Sequence, residues 1–385
     1  MRIYSTEDQE RVRSLGLVRE WMRSGLIDAA QLAVVDQDLR TDLRRTNTAL
    51  RLVLFVFAAI VLQSILGLAL LIIDSNSAWL VGTASIFAAA GATLAAEFLI
   101  NRFRFFRFGV EEAGAVSAVA LVTGGIVLLT SEWRQLPATA LLVVASMSCL
   151  ASYARYGYRY MALGAMTAAG LVPFTLELSR PIMRSLSAAV LLLIFLGVRT
   201  SRRASEEEYL HDEFRLLESA AWLGLYLVVN LQLSFDLPQS AYPRPFFLAT
   251  YGAIWMLPVA GLVIGIRGRE RLMIWANLVM ALLTLATNKS YLGWERHTWD
   301  PILLGVLLTG TAVGLRRWLS AGPGGERAGF TPRRILSSEK ASLSVVTTVA
   351  GAAQPGGPHP ASTSAPDKFA PGGGASGGGG ASGRY

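Results

Sequence analysis

Three carboxylates have the type and placement for proton or cation chemistry near one end of the apolar segments. Glu97 lies near the end of a long apolar run, and Glu111 and Glu112 follow after a short basic loop. Ionisable groups inside a membrane are costly, so each is a candidate functional group. The alternative is structural: Glu97 pairs with Arg102 or Arg104, and the adjacent carboxylates suit a helix N-terminus.

A second set of polar residues is predicted at the opposite, outer ends of the apolar segments. A pocket that combined these residues would bind a polar headgroup or a small solute, although loop groups of this kind are ordinarily just solvated. Asn277, alone in an apolar segment, is expected to bond a neighbouring helix. The candidate outer site comprises Glu177, Arg180, Asn230, Gln232, Asp236 and His297.

Several classes of site are excluded by residue type and spacing. Cys149 is the single cysteine, so the sequence offers no internal disulfide and no cysteine-based zinc site. The three histidines, His211, His297 and His359, lie in three different segments, which argues against a histidine-built metal site. The chain also lacks P-loop, dinucleotide-binding, zincin and nucleophile-elbow motifs. We therefore predict no metal and no cofactor, and we assign no catalytic residue.

The elements that must position these residues are membrane-spanning helices. Of 385 residues, 52% are hydrophobic and only 16% are charged, and the charges crowd the first fifty residues and a few short loops. Apolar runs of roughly 18 residues or more indicate spans across a hydrocarbon core of about 30 Å. The sequence thus predicts an all-α polytopic bundle over residues 51–318. Its ten spans are placed at 52–73, 78–100, 112–130, 136–154, 160–178, 182–198, 219–236, 246–266, 271–287 and 300–316.

The fifth and sixth spans admit an alternative. Pro173 and Pro181 bracket polar Glu177 and Arg180, so a re-entrant pair of helices stays open. Gly261 and Gly265 form a G-x-x-x-G in the eighth span, which suggests close contact between helices. The inside loop at 199–218 is predicted to hold a short surface helix, and its acidic run at 206–208 is a candidate partner for amino-terminal arginines.

Arginine placement predicts the orientation. Loops on the amino-terminal side of the membrane carry most of the arginines, which the positive-inside rule assigns to the cytoplasm. The expected location is a bacterial inner membrane with both termini cytoplasmic. The net charge of +8 is explained by this bias, and we expect no nucleic-acid partner.

Two segments flank the bundle. Residues 1–50 are predicted to form two amphipathic helices with capping boxes at Thr6 and Asp28, separated at Gly25. Such helices would lie on anionic lipid headgroups or fold against cytoplasmic loops. Residues 319–385 are rich in glycine, proline and serine, so a disordered tail is expected there.

The stretch LVREWMRSGLIDAAQLAVVDQDL, residues 17–39, resembles the start of a family of bacterial predicted multi-pass membrane proteins classed as a domain of unknown function. Members open with L-x-x-W-x-x-x-G-L-I and a glutamine-containing helix. Trp21, Gly25, Leu26, Ile27 and Gln31 occupy that pattern, whereas Leu17 is displaced by one position. The loop NRFRFFRFGVEEA, residues 101–113, is similar to a loop in such proteins. The resemblance implies a topology and carries over no activity and no functional residue.

Three functions are compatible with these features. The first is a transporter-like protein for a small solute, ion or lipid. The second is a non-enzymatic membrane subunit or sensor that binds protein partners through its cytoplasmic helices and tail, with membrane lipids around it. The third is a membrane-embedded enzyme acting on a lipid-linked substrate, which requires the outer polar residues to converge.

Overall fold

The computed structural model describes residues 2–72, 77–131, 137–233, 242–292 and 300–322. Within these ranges the chain forms twelve α-helices and no strand, apart from an isolated bridge between Arg44 and Phe105. The predicted all-α class is therefore confirmed for the part of the chain that the structure describes. The tail from residue 323 onwards lies outside these residues.

The helices follow one another with short connections. Short 3-10 turns follow α7 at Val172–Thr175 and α9 at Leu231–Leu233. In chain order the helices are α1 Thr6–Arg23, α2 Ala29–Asp38, α3 Thr48–Ile72, α4 Ala78–Phe103, α5 Val110–Leu129, α6 Pro137–Tyr156, α7 Arg159–Leu171, α8 Arg180–Ala204, α9 Glu208–Val229, α10 Arg244–Gly268, α11 Arg271–Tyr291 and α12 Asp300–Ser320.

The two amino-terminal helices begin and end at local signals. Gly25 separates them with φ +74°, a left-handed conformation that glycine adopts without steric cost. Asp28 caps α2 and forms the predicted capping box with Gln31. The first predicted capping box is wrong by one residue, because Ser5 rather than Thr6 accepts the N–H of the first turn of α1.

Seven helices in the described ranges are long and apolar enough to cross a membrane: α3, α4, α5, α6, α8, α10 and α11. These seven helices indicate an integral membrane protein. Helices α7, α9 and α12 occupy three further predicted spans but fall outside this group, so the count of about ten spans is not confirmed. With 13 residues, α7 is about 20 Å long, which is shorter than the hydrocarbon core.

Large apolar side chains cover the outer surface of these helices. Phe57 on α3, Phe87 on α4, Leu193 on α8 and Met256 on α10 each expose about two thirds of their area or more. A soluble protein rarely exposes contiguous apolar surface of this extent. The surface therefore suits contact with lipid chains.

Small and polar residues bring the helices of the second half together. A Cβ atom at Gly261 of α10 would overlap the Asn277 side chain of α11, and one at Gly265 would lie 3.1 Å from the backbone nitrogen of Ile274. The close helix contact predicted from the G-x-x-x-G is thus confirmed. Asn277 accepts a hydrogen bond of 3.0 Å from the indole of Trp222 on α9, which confirms its predicted role between helices.

The predicted short surface helix at 199–218 is wrong. The chain turns at Ser205 and then forms one continuous helix, α9, from Glu208 to Val229. Glu213 and Glu218 are both buried on α9. The first half of α9 can carry buried carboxylates because arginines from other elements pair with them.

Candidate functional site

The most polar part of the described structure is one end of the bundle, here called the inner end. It comprises the loops 104–109, 157–158, 205–207 and 269–270, the adjoining helix ends, and the amino-terminal segment 2–46. Ion pairs and backbone hydrogen bonds connect these parts. Their residues come from widely separated parts of the sequence.

Glu213 on α9 is the centre of the first buried network. Its carboxylate is 3% exposed and accepts hydrogen bonds from Arg2, at 2.9 Å, and from the Tyr153 hydroxyl, at 3.0 Å. The Arg159 guanidinium lies 3.6 Å away. Arg2 also lies over the Tyr209 ring, at 5.4 Å. Burial opposes the charge on Arg2, but the nearby Glu213 carboxylate raises the pKa of Arg2 above its ordinary value.

Backbone contacts hold the amino-terminal segment in the same place. Ile3 donates to the Arg155 carbonyl at 2.9 Å, and the Tyr4 hydroxyl donates to the Phe105 carbonyl at 3.1 Å. Tyr4 is 5% exposed, and this burial raises the pKa of its phenol above the ordinary value. The start of the chain is therefore part of the bundle's inner end.

Arg202 on α8 is the centre of a second network. One of its nitrogens lies 3.1 Å from Glu218 on α9 and 2.5 Å from Glu270, which precedes α11. Arg199 adds a hydrogen bond of 2.8 Å to Glu218. Glu218 is fully buried and Glu270 is 7% exposed. This network connects three helices at the inner end.

The predicted inner carboxylates lie at this end, but each has a different partner. Glu97 pairs at 2.7 Å with Arg155 of α6, so the expected pairing with Arg102 or Arg104 is wrong. Glu111 is fully buried at the start of α5 and accepts the backbone N–H of Phe108 at 2.7 Å. These contacts favour the structural alternative for both residues.

Glu112 joins α5 to α3. It is 3% exposed and binds Arg51 through two hydrogen bonds, a geometry in which the planar guanidinium matches a carboxylate. Gly109, just before α5, has φ +112° and lies so close to α3 that a Cβ there would overlap the Arg51 carbonyl. The Arg51–Glu112 pair therefore fixes the approach of these two helices.

Arg107 lies in the same loop and carries a charge that the described carboxylates only partly offset. Its backbone has φ +52°, and its guanidinium lies 5.4 Å from the centre of the Phe106 ring. Burial, together with the charges of Arg159 and Arg51, lowers the pKa of Arg107 below its ordinary value. At the inner end as a whole, ion pairs such as Arg51–Glu112, Arg155–Glu97 and Arg202–Glu270 connect one helix to another.

The predicted outer residues do not form one pocket in the described structure. Glu177 and Arg180 are exposed in and beside the connection before α8. Asn230 is fully buried and donates to the Tyr226 hydroxyl at 3.0 Å and to Thr287 at 3.2 Å. Its carbonyl oxygen accepts the backbone N–H of half-buried Gln232 at 3.1 Å. Asn230 therefore joins helices, as a buried amide in a membrane protein is expected to do.

Two of the predicted outer residues, Asp236 and His297, lie outside the described residues. In the described ranges, no group of three histidine, cysteine or acidic side chains is placed to hold a metal ion.

Further hydrogen bonds follow Asn230 along the helices. The Tyr226 hydroxyl lies 2.8 Å from the Thr284 hydroxyl of α11. Thr284 donates to the Ile254 carbonyl of α10 at 2.9 Å. These bonds tie α9, α10 and α11 together.

Sequence reasoning did not pick out the residues that form the two inner networks. Glu218 carried a signal, because it adjoins the apolar stretch SAAWLGLYLVV, where a carboxylate needs a partner. Arg2 carried none, since a basic residue near a chain start is common and its partner Glu213 lies 211 residues away.

No protein-family model, curated protein or solved structure matches the chain. Function must therefore be argued from the residues themselves.

One further surface belongs to the inner end. Leu15 and Val18 of helix α1 are buried, whereas Leu17 and Trp21 are 38% and 43% exposed. Leu26, in the turn after α1, is 60% exposed, and its N–H bonds the Trp21 carbonyl. We call Leu17, Trp21 and Leu26 the hairpin tip.

Proposed function

We propose that this chain is a ten-span protein of the bacterial inner membrane that serves as a non-enzymatic membrane subunit or sensor. In this proposal both termini lie in the cytoplasm, and the hairpin tip binds a protein partner there. The observation that carries the proposal is the anchoring of segment 2–46 to the inner end, above all through Arg2 and Glu213.

The ten-span topology is supported by the way α7 follows α6. Ser146 in the middle of α6 donates to the Ala165 carbonyl of α7 at 2.9 Å. Thr139, near the other end of α6, lies 2.8 Å from Thr175 in the 3-10 turn after α7. Residues 159–175 therefore run antiparallel to α6 along most of its length. Because α6 is a candidate span, this pairing favours a full crossing over a re-entrant pair.

The orientation is supported by the arginines at the inner end. Arg44, Arg102, Arg104, Arg267 and Arg269 are all exposed near helix ends on that side. An excess of exposed arginine next to membrane spans is typical of the cytoplasmic side. We therefore place the inner end in the cytoplasm.

A binding role is supported by two features: the segment before α1 is held in place, and the hairpin tip is apolar and exposed. Two hydrogen-bonded contacts, Arg2 with Glu213 and Tyr4 with Phe105, fix the segment before α1. Fixing the segment in advance lowers the entropy lost when a partner binds. Trp is also one of the residue types most enriched at binding hot spots, and Trp21 lies at the centre of the tip.

Transport and catalysis receive less support from the described residues. A transporter of the expected kind would use Glu97 near the midplane, but Glu97 lies in the last two turns of α4 and pairs with Arg155. A lipid-acting enzyme would need the predicted outer residues to converge, but of the described ones Asn230 is buried between helices and Glu177 is exposed beside α8. These contacts favour the binding role among the three candidates.

The proposal is tested by site-specific photocrosslinking in living cells. A photoreactive amino acid replaces Leu17 or Leu26 in the full-length chain, and crosslinked adducts are identified by mass spectrometry. Glu10, exposed on α1 outside the hairpin tip, is the matched control. We expect one discrete protein adduct from both tip positions and none from Glu10.

The opposite outcomes are also informative. Adducts with lipid alone from Leu17 and Leu26 would show that the tip rests on the membrane and would overturn the partner-binding role. The same adduct from Glu10, two turns before Leu17 on α1, would show that the contact is not confined to the hairpin tip.

A further inference from the structure

A short extended segment brings two arginines together at the inner end. Arg44 donates its N–H to the Arg104 carbonyl at 2.8 Å, and its carbonyl accepts the N–H of Phe106 at 3.0 Å. Arg104 ends α4 in the left-handed conformation, with φ +57°. These backbone bonds place residues from before α3 and after α4 side by side.

The side chains of these arginines face outward. Arg44, Arg102 and Arg104 are exposed, and none forms an ion pair with a described residue. Asp42, two residues before Arg44, forms no such pair either. Other arginines of the inner end, such as Arg155 and Arg202, pair with carboxylates of the protein. Arg44, Arg102 and Arg104 therefore offer three guanidinium groups to an external anion.

Aromatic rings lie at the same end of α4 as these arginines. Phe98 and Phe103 pack edge to face with centroids 6.1 Å apart, and they are 61% and 41% exposed. Phe103 stacks on Phe105, which stacks on Phe108. Exposed phenylalanine rings beside cationic side chains suit the boundary where lipid chains meet their headgroups, since the rings can be buried there while the charges stay at headgroup level.

We propose that Arg44, Arg102 and Arg104, with Phe98 and Phe103, form a binding site for the headgroup of an anionic phospholipid. The guanidinium groups bind the phosphate, for which their planar donors are well suited, and the two rings contact the glycerol and upper acyl chains. This inference rests on the membrane placement proposed above and does not depend on a protein partner at the hairpin tip.

The structure supplies a matched control. Arg269 ends α10 with φ +52°, in the same left-handed conformation as Arg104, and Arg267 and Arg269 are both exposed at the inner end. Among the described residues, however, no segment bonds to their loop in the way that Arg44 bonds to Arg104. Removal of this pair subtracts the same charge at a comparable place and leaves the proposed site unchanged.

The test measures lipid binding to the purified full-length protein by native mass spectrometry. Phosphatidylglycerol is the anionic probe and phosphatidylcholine is the zwitterionic one. Variant Arg44→Gln with Arg104→Gln should weaken phosphatidylglycerol binding about tenfold, because each arginine contributes attraction to an anionic headgroup. Binding of phosphatidylcholine should not change. The Arg267→Gln, Arg269→Gln control should change phosphatidylglycerol binding less than about twofold.

Folding is controlled within the same experiment. The bridge between Arg44 and Arg104 is made by backbone atoms, so glutamine side chains leave it in place. Variant Arg44→Lys with Arg104→Lys keeps the charge but not the planar donors, so its phosphatidylglycerol affinity should lie between those of the wild type and the glutamine variant. Equal loss of phosphatidylglycerol affinity in the glutamine variant and in the Arg267→Gln, Arg269→Gln control would show that general surface charge causes the binding. Equal binding of both lipids by the wild type would show that the protein has no headgroup preference. Either result would overturn the site, whereas the hairpin crosslinks would be unaffected.

Discussion

Arg2 and Glu213 lie 2.9 Å apart, although 211 residues separate them in the sequence. The pair joins the start of the chain to the first half of α9, where Glu213 is 3% exposed. Because Tyr153 also donates to Glu213, three parts of the chain meet at one carboxylate.

The first prediction concerns the anchor itself. Substitution Arg2→Ala removes a charge-assisted hydrogen bond from a buried carboxylate, which typically costs about 1.5–3 kcal/mol. We expect a lower unfolding temperature in detergent and faster hydrogen exchange over residues 2–46. Arg11→Ala is the control, because Arg11 forms an exposed pair with Glu7 that contributes less than about 1 kcal/mol. Equal effects of the two substitutions would argue against the anchor.

The second prediction concerns the contact between α10 and α11. Gly261→Ala places a methyl group where Asn277 lies, so we expect destabilisation of about 1–3 kcal/mol. In an Asn277→Ala background the same change should cost clearly less, because the overlapping amide is gone. Gly252→Ala, on the same helix with nothing nearby, should be neutral or stabilising. Strictly additive effects of Gly261→Ala and Asn277→Ala would contradict the contact.

The third prediction concerns the second buried network. Arg202→Gln leaves Glu218 with Arg199 but removes the described ion pair of buried Glu270, a loss that costs about 3–5 kcal/mol for buried ion pairs. Addition of Glu270→Gln should restore part of the loss. The neighbouring Arg203 is exposed, so Arg203→Gln should change the free energy of unfolding by less than about 0.5 kcal/mol. The comparison fails if Arg202 and Arg203 behave alike.

The fourth prediction concerns alkaline pH. Burial raises the pKa of Tyr4 above its ordinary value of 10, so the folded chain holds the phenolic proton more tightly than the unfolded chain does. This stabilisation is fully present below pH 10 and is lost as the pH rises through the folded-state pKa. Above pH 10, the unfolding free energy of the wild type should therefore fall more steeply than that of Tyr4→Phe, by up to about 1.4 kcal/mol per pH unit. Parallel curves would contradict the buried phenol.

Local signals in the sequence predicted local structure well. The capping box at Asp28 and the turn at Gly25 depend on neighbouring residues, and both are present in the structure. The role of Asn277 was also predictable, since a lone amide in an apolar helix needs a partner from a nearby helix. Apolar runs likewise placed the helices, because length and hydropathy are properties of single segments.

The burial of the carboxylates on α9 could not be predicted from the sequence, because it depends on long-range contacts. Residues 199–218 looked like a surface loop because they carry many charges, yet Glu213 and Glu218 are buried on α9. Arginines from the chain start and from α8 neutralise these carboxylates, which no local pattern reveals. The acidic run at 206–208 was the expected partner for the amino-terminal arginines. In the structure Arg2 pairs with Glu213 and Arg13 pairs with Asp212, two carboxylates that follow this run on α9.

The ten-span topology is tested most directly by labelling of single cysteines. With Cys149→Ala as background, cysteine replaces Ser131, Ser179 or Ser205, and intact cells are treated with a maleimide that cannot cross the inner membrane. The account predicts that positions 131 and 179 react in intact cells and that position 205 reacts only after permeabilisation. If position 131 reacts but 205 is labelled and 179 is protected, α7 does not cross the membrane, and the proposed topology is wrong.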